Sequence, residues 1–103
     1  MNRNTPKERK YSIYKAILEL KDLDECIAFF DDVCAVTELR SMEQRFEVAK
    51  MLHENKVYTE IMEQTSASSA TISRVNRSLN YGNDGYDMLF ARMNWEENDH
   101  KEE

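Results

Sequence analysis

Six side chains in one short stretch could act together: Ser68, Ser69, Thr71 and Ser73, then Arg74 and Arg77. The chemistry open to hydroxyls and guanidinium groups at this spacing is hydrogen bonding and ion pairing. Short hydroxyl side chains at the start of a helix, with its unsatisfied amides, can hold phosphate oxygens. An arginine further along can grip a phosphate or the edge of a guanine. Ala70 sits among them and lets the backbone approach closely, and Thr59, upstream, could touch a sugar-phosphate backbone. Bond-breaking chemistry finds no support elsewhere. His53 has no second histidine, cysteine or aspartate at ligand spacing, which argues against a metal. No Ser-His-Asp set or phosphate loop is visible, and paired carboxylates fall on outward helix faces. The residues therefore point to a binding protein, with neither a catalytic residue nor a metal site.

The net charge of −6 argues against a polyanionic partner until it is divided along the chain. Residues 1–11 hold four bases and one acid, residues 12–55 five bases and ten acids, residues 56–82 three bases and two acids, and residues 83–103 two bases and seven acids. No carboxylate occurs from Ser66 to Gly82. A phosphate senses charge within about a Debye length, roughly 8–10 Å, so this local face counts for more than the total.

A helix-turn-helix over Tyr58 to Leu79 would position these side chains. Its first helix is expected from about Tyr58 to Thr65, with Ile61 and Met62 inward. Ser66-Ala67-Ser68 makes the turn, with Ser68 or Ser69 as cap. In the second helix Ile72, Val75 and Leu79 fall at helical spacing and should anchor it, with Ala67 also inside. The opposite face then carries Ser69, Ala70, Ser73, Arg74, Asn76 and Arg77. Ser66 stands where a glycine is usual, so a left-handed backbone there would be mildly strained.

The remaining elements must supply a core beneath that motif. Two glycines and one proline in 103 residues, with abundant Glu, Lys, Leu, Met and Ala, favour an all-α fold of five to six helices. Ser12 to Lys21 reads as the first helix, on Ile13, Ile17 and Leu20. Asp22 caps a second, which runs to about Cys34 on Leu23, Ile27, Phe30 and Val33. Thr37 caps a third, which runs to about Asn55 with Leu39, Met42, Phe46, Ala49 and Leu52 or His53 inward. After a turn marked by Gly82 and Gly85, a last helix spans Asp87 to about Trp95, and Tyr86 packs on the domain. Cys26 and Cys34, about 12 Å apart along one helix, are too distant for a disulfide and read as reduced core thiols. One domain over residues 11–95 is expected, between a flexible basic arm (1–10) and an acidic tail (96–103). The wide apolar faces of the first two helices suggest a homodimer. No apolar run near 18 residues and no secretory signal is present, which places the chain in the cytoplasm and off the membrane.

The string from Ala70 to Gly82, ATISRVNRSLNYG, resembles the trp repressor superfamily, and most closely its trp-repressor-like (YerC/YecD-type) branch. The likeness extends upstream through Gln44-Arg45-Phe46 and Val48-Ala49 and covers most of residues 10–90. It implies an all-helical, intertwined dimer that binds operator DNA as a transcriptional repressor. It also implies a small corepressor, L-tryptophan in trp repressors, held by recognition-helix residues that map onto Thr71, Arg74 and Ser78. A further arginine of that pocket, on the long helix, falls at Gln44, with Arg45 one residue away. A protein-interaction module, in which the same helix-turn-helix docks a protein, is the alternative that weak local basicity leaves open.

Overall fold

The computed structural model describes residues 8–93. Six helices follow one another: α1 (Ser12–Ile17), α2 (Leu23–Val33), α3 (Val36–His53), α4 (Tyr58–Thr65), α5 (Ser69–Tyr81) and α6 (Gly85–Met93). Among the described residues there is no strand, and no helix is long and apolar enough to cross a membrane. The tail beyond residue 95, most of the basic arm and Trp95 lie outside the described residues. The chain divides between Ser41 and Met42 into two compact units.

The first unit is built by local capping. Expected to reach Lys21, α1 stops at Ile17, because Glu19 and Leu20 donate to Ala16 and Ile17 in tight three-residue turns. That unwinding lets Asp22 take the extended backbone a cap requires. Its Oδ1 accepts from the Glu25 N–H at 2.9 Å, while Glu25 Oε1 accepts from the Lys21 N–H at 2.9 Å, a reciprocal cap. Half of the same device opens α3. Glu38 Oε1 accepts from the Ala35 N–H at 2.7 Å and Leu39 donates to the Ala35 carbonyl, so Ala35, not Thr37, stands at the cap. Neither α1 nor α2 contains a buried residue. Arg9 lies over the Tyr14 ring at 5.7 Å, a cation–π contact at the foot of the arm. Cys26 and Cys34 are free thiols, half-buried rather than in the core.

The second unit holds the core. Val48, Ala49 and Met51 from α3, Ile61 from α4, Ala67 from the turn, Ile72 and Val75 from α5 and Phe90 from α6 are its buried members. Phe46, Leu52, Leu79 and Tyr86 pack against it, half-buried. The inward face of α3 thus differs from the expected one: Val48 and Met51 are buried, while Met42 and His53 are exposed. Residues 46–52 are apolar at five of seven positions, so the pattern alone does not choose a phase. Aromatic rings join α6 to α3: Phe90 meets Phe46 at 5.6 Å and His53 at 4.8 Å, and Tyr86 meets Phe46 at 6.1 Å.

Left-handed backbone occurs at Asn55, Ser66 and Asp84, and at neither glycine. Asn55 closes α3 in a Schellman turn, with the Lys56 N–H on the Met51 carbonyl and the Asn55 N–H on that of Leu52. Asp84 precedes α6, which starts at Gly85, two residues before the expected Asp87; its carbonyl accepts from the Met88 N–H.

Candidate nucleic-acid interface

The motif is α4, a three-residue turn and α5. Its first helix has the expected limits, Tyr58–Thr65, and ends on Ser66 in the left-handed region at φ 63°. A non-glycine residue there costs about 1–2 kcal/mol, which neighbouring contacts must offset. Those contacts centre on Thr65. Its Oγ1 donates to the Ile61 carbonyl at 2.7 Å and accepts from the Ala67 N–H at 3.1 Å. Its own carbonyl accepts from Gln44 Nε2 at 3.0 Å, across 21 residues of chain. Ala67, 3% exposed, fills the space beneath the turn.

Ser68 caps α5: its Oγ accepts from the Thr71 N–H at 3.1 Å and donates to Thr71 Oγ1 at 3.1 Å. The cap leaves the helix's leading amides at the surface, where an anion meets their partial positive charge. Ile72 and Val75 are buried and Leu79 half-buried, so this edge of α5 faces the core as expected. Met62, expected inward beside Ile61, is instead 39% exposed: a helix this short turns only one narrow side to the core.

Ser69, Ala70, Ser73, Arg74 and Arg77 are all exposed, and their spacing places them along one side of α5 away from Ile72 and Val75. Asn76 is half-buried, its Oδ1 accepting from Asn80 Nδ2 at 3.2 Å. Thr59 is exposed in the first turn of α4, and Ser68 is exposed although its hydroxyl serves the cap. Thr71 is half-buried.

Of the residues that the family resemblance assigns to a ligand, Thr71, Arg74 and Ser78 fall at i, i+3 and i+7 on α5 and share one side of it. Arg74 and Ser78 are exposed on α5, Arg45 is exposed on α3, and Gln44 is half-buried with its amide engaged by Thr65 at the turn. Ser78 follows Arg74 by four residues, one turn or about 6 Å along the helix axis. Gln44 uses one of its two Nε2–H donors on the Thr65 carbonyl. Ala67 is buried as expected, whereas the sequence reading missed Thr65 as a support, because its Oγ1 and carbonyl bond to main-chain and distant partners that leave no side-chain pattern. Among the described residues no group of histidine, cysteine, aspartate and glutamate could hold a metal ion.

Comparison with known proteins agrees with this architecture. The chain is 54% identical over 81 residues to YerC of Bacillus subtilis (strain 168), itself uncharacterized, covering 79% of this chain and 78% of that protein. The crystal structure of a TrpR-like protein from Eubacterium eligens ATCC 27750 superimposes with a TM-score of 0.78 at 63% identity, covering 81% of this chain and 86% of the other. A candidate Trp repressor from Staphylococcus aureus superimposes with a TM-score of 0.78 at 49% identity, covering 81% and 83%. Residues 9–94 match the family described as Trp repressor protein, a regulatory and non-enzymatic family. With six helices in this order and a helix-turn-helix at α4–α5, the chain belongs to the Trp repressor protein family.

Proposed function

We propose that this protein is a sequence-specific DNA-binding transcriptional regulator, acting as a repressor on operator DNA. The observation that carries the reading is the exposed side of α5: hydroxyls at its start, arginines further along, and no carboxylate from Ser66 to Gly82. Ser69, Ala70, Thr71 and Ser73 enter the major groove. Arg74 contacts phosphate, Arg77 phosphate or base, and Thr59 and the Ser68 cap the backbone. An Arg77→Ala variant is expected to bind a selected duplex more weakly and to flatten the slope of log affinity against log salt by about one unit. An unchanged slope would take Arg77 off the list of phosphate contacts. Failure of the wild-type protein to be retained on either heparin or DNA-cellulose at low salt would favour the alternative, a module that docks a protein.

The reading includes a homodimer. Helices α1 and α2 bury no residue, and Ile13, Tyr14, Leu18, Leu23, Ile27 and Val33 are each 40% or more exposed in the single chain. A second copy would cover such a surface and set two α5 helices about 34 Å apart on a near-palindromic site. Light scattering at micromolar concentration that returned the mass of one chain would remove the dimer. Control by L-tryptophan is not part of the reading, because Gln44 stands where the family resemblance places a second arginine of the pocket. Maps of bound DNA made with and without tryptophan should therefore coincide.

A further inference from the structure

We infer that Gln44 is a positioning residue for the DNA-reading helix, acting through a hydrogen-bond relay that runs from α3 into the turn before α5. The inference rests on the DNA-binding reading above and goes beyond it, since Gln44 lies on neither exposed motif face. The relay starts at the Gln44 side-chain amide, which donates to the Thr65 carbonyl at 3.0 Å. That carbonyl belongs to the last residue of α4, where the helix offers no partner for it. Thr65 Oγ1 then accepts from the Ala67 N–H at 3.1 Å while donating to the Ile61 carbonyl at 2.7 Å. Ala67 leads directly to Ser68, whose Oγ accepts from the Thr71 N–H and so fixes where α5 begins. Between these bonds stands Ser66, held left-handed without the freedom of glycine. Its backbone needs restraint from both sides, and Thr65 supplies it on one.

The apolar core holds α5 at a given depth, but in the turn ahead of the helix its buried member is the small Ala67 side chain, which sets the pitch there only loosely. Ile72 and Val75 are the first buried residues of the helix, and the hydroxyl-bearing turn lies ahead of them. Gln44 is placed one turn before Val48, a core member of the same helix, so α3 grips the motif at two points, one apolar and one polar. Sequence reading requires the helix N-terminus to meet base edges within a fraction of an ångström, whereas attraction to phosphate tolerates more play. Loss of the Gln44 bond should therefore damage specific binding and spare non-specific binding.

Gln44→Met keeps the length of the side chain and removes the donor; Gln44→Glu keeps the shape and offers the Thr65 carbonyl only an acceptor. Each is compared with wild type by two measurements. The first is amide hydrogen exchange on the DNA-free protein. Exchange at Ala67 and Thr71 should rise about tenfold in both variants, with the core amides of α3 and α5 unchanged. Gln44→Arg, which carries an Nε–H donor at the same number of bonds, should restore slow exchange. The second is affinity for a duplex selected from random sequence with the wild-type protein, against affinity for a scrambled duplex. The Met variant should lose about tenfold on the first and nothing on the second. Unchanged turn exchange overturns the inference, and so does a rise shared equally by the core amides. A Met variant that binds the selected duplex as wild type does also overturns it. If turn exchange responds but the wild-type protein selects no duplex, the relay stands and the DNA-binding reading falls.

Discussion

An Ile72→Ala variant is expected to lose about 2–5 kcal/mol of stability, against about 0.5–1.5 kcal/mol for Ile72→Val. Ile72 is 0% exposed and, with Ile61 and Val48, is among the largest fully buried side chains of the described residues. It joins α5 to α3, α4 and α6 within one small core, so the cavity left by truncation has few neighbours able to collapse into it. Domains of this size are stable by only about 5–15 kcal/mol in total, so the alanine variant should lose a large share of its stability. Urea denaturation at fixed protomer concentration reads both variants. Equal midpoints for alanine and valine would show that Ile72 is not the anchor its burial indicates.

Gly82→Ala is the second large effect. A Cβ at this position would run into the Ser78 carbonyl oxygen, which already accepts the Gly82 N–H at 3.0 Å. The obstacle is helix backbone, not the end of a flexible side chain, so the last turn of α5 must open or Gly82 must move. Overpacking of this kind costs about 1–3 kcal/mol. Gly85 provides the control, since a Cβ there meets nothing within 4 Å. Gly85→Ala, at the first residue of α6, should be neutral or stabilise slightly through lower chain entropy. Thermal melts of the two variants side by side test the argument, and matching midpoints would sink it.

The motif was legible because its determinants are local. Ser68 announces a cap by its own side chain, and Ile72, Val75 and Leu79 repeat with the helical period, so α4 and the start of α5 lie where the residues place them. The left-handed backbone at Ser66 follows from its place in the motif, where a glycine is usual, and not from its own side chain. The phase of α3 was not. Phe46, Val48, Ala49, Met51 and Leu52 are too dense for periodicity to choose among them, and the choice is made by α4, α5 and α6. The early end of α1 depends on Asp22 needing an extended backbone, a conflict between neighbours that no single residue type signals. Gln44 was singled out only through resemblance, as a ligand contact. Its partner is a main-chain carbonyl 21 residues away, and carbonyls have no signature in a sequence.

The absence of any buried residue in α1 and α2 has a consequence for how the protein comes to exist. If a second copy covers those helices, ordering them is a bimolecular event, and folding and assembly become one equilibrium. Stability is then a function of copy number: each tenfold dilution removes about 1.4 kcal/mol from it. At low abundance the two helices would stand open to proteases, so supply of the chain would set a threshold below which a cell holds no working regulator.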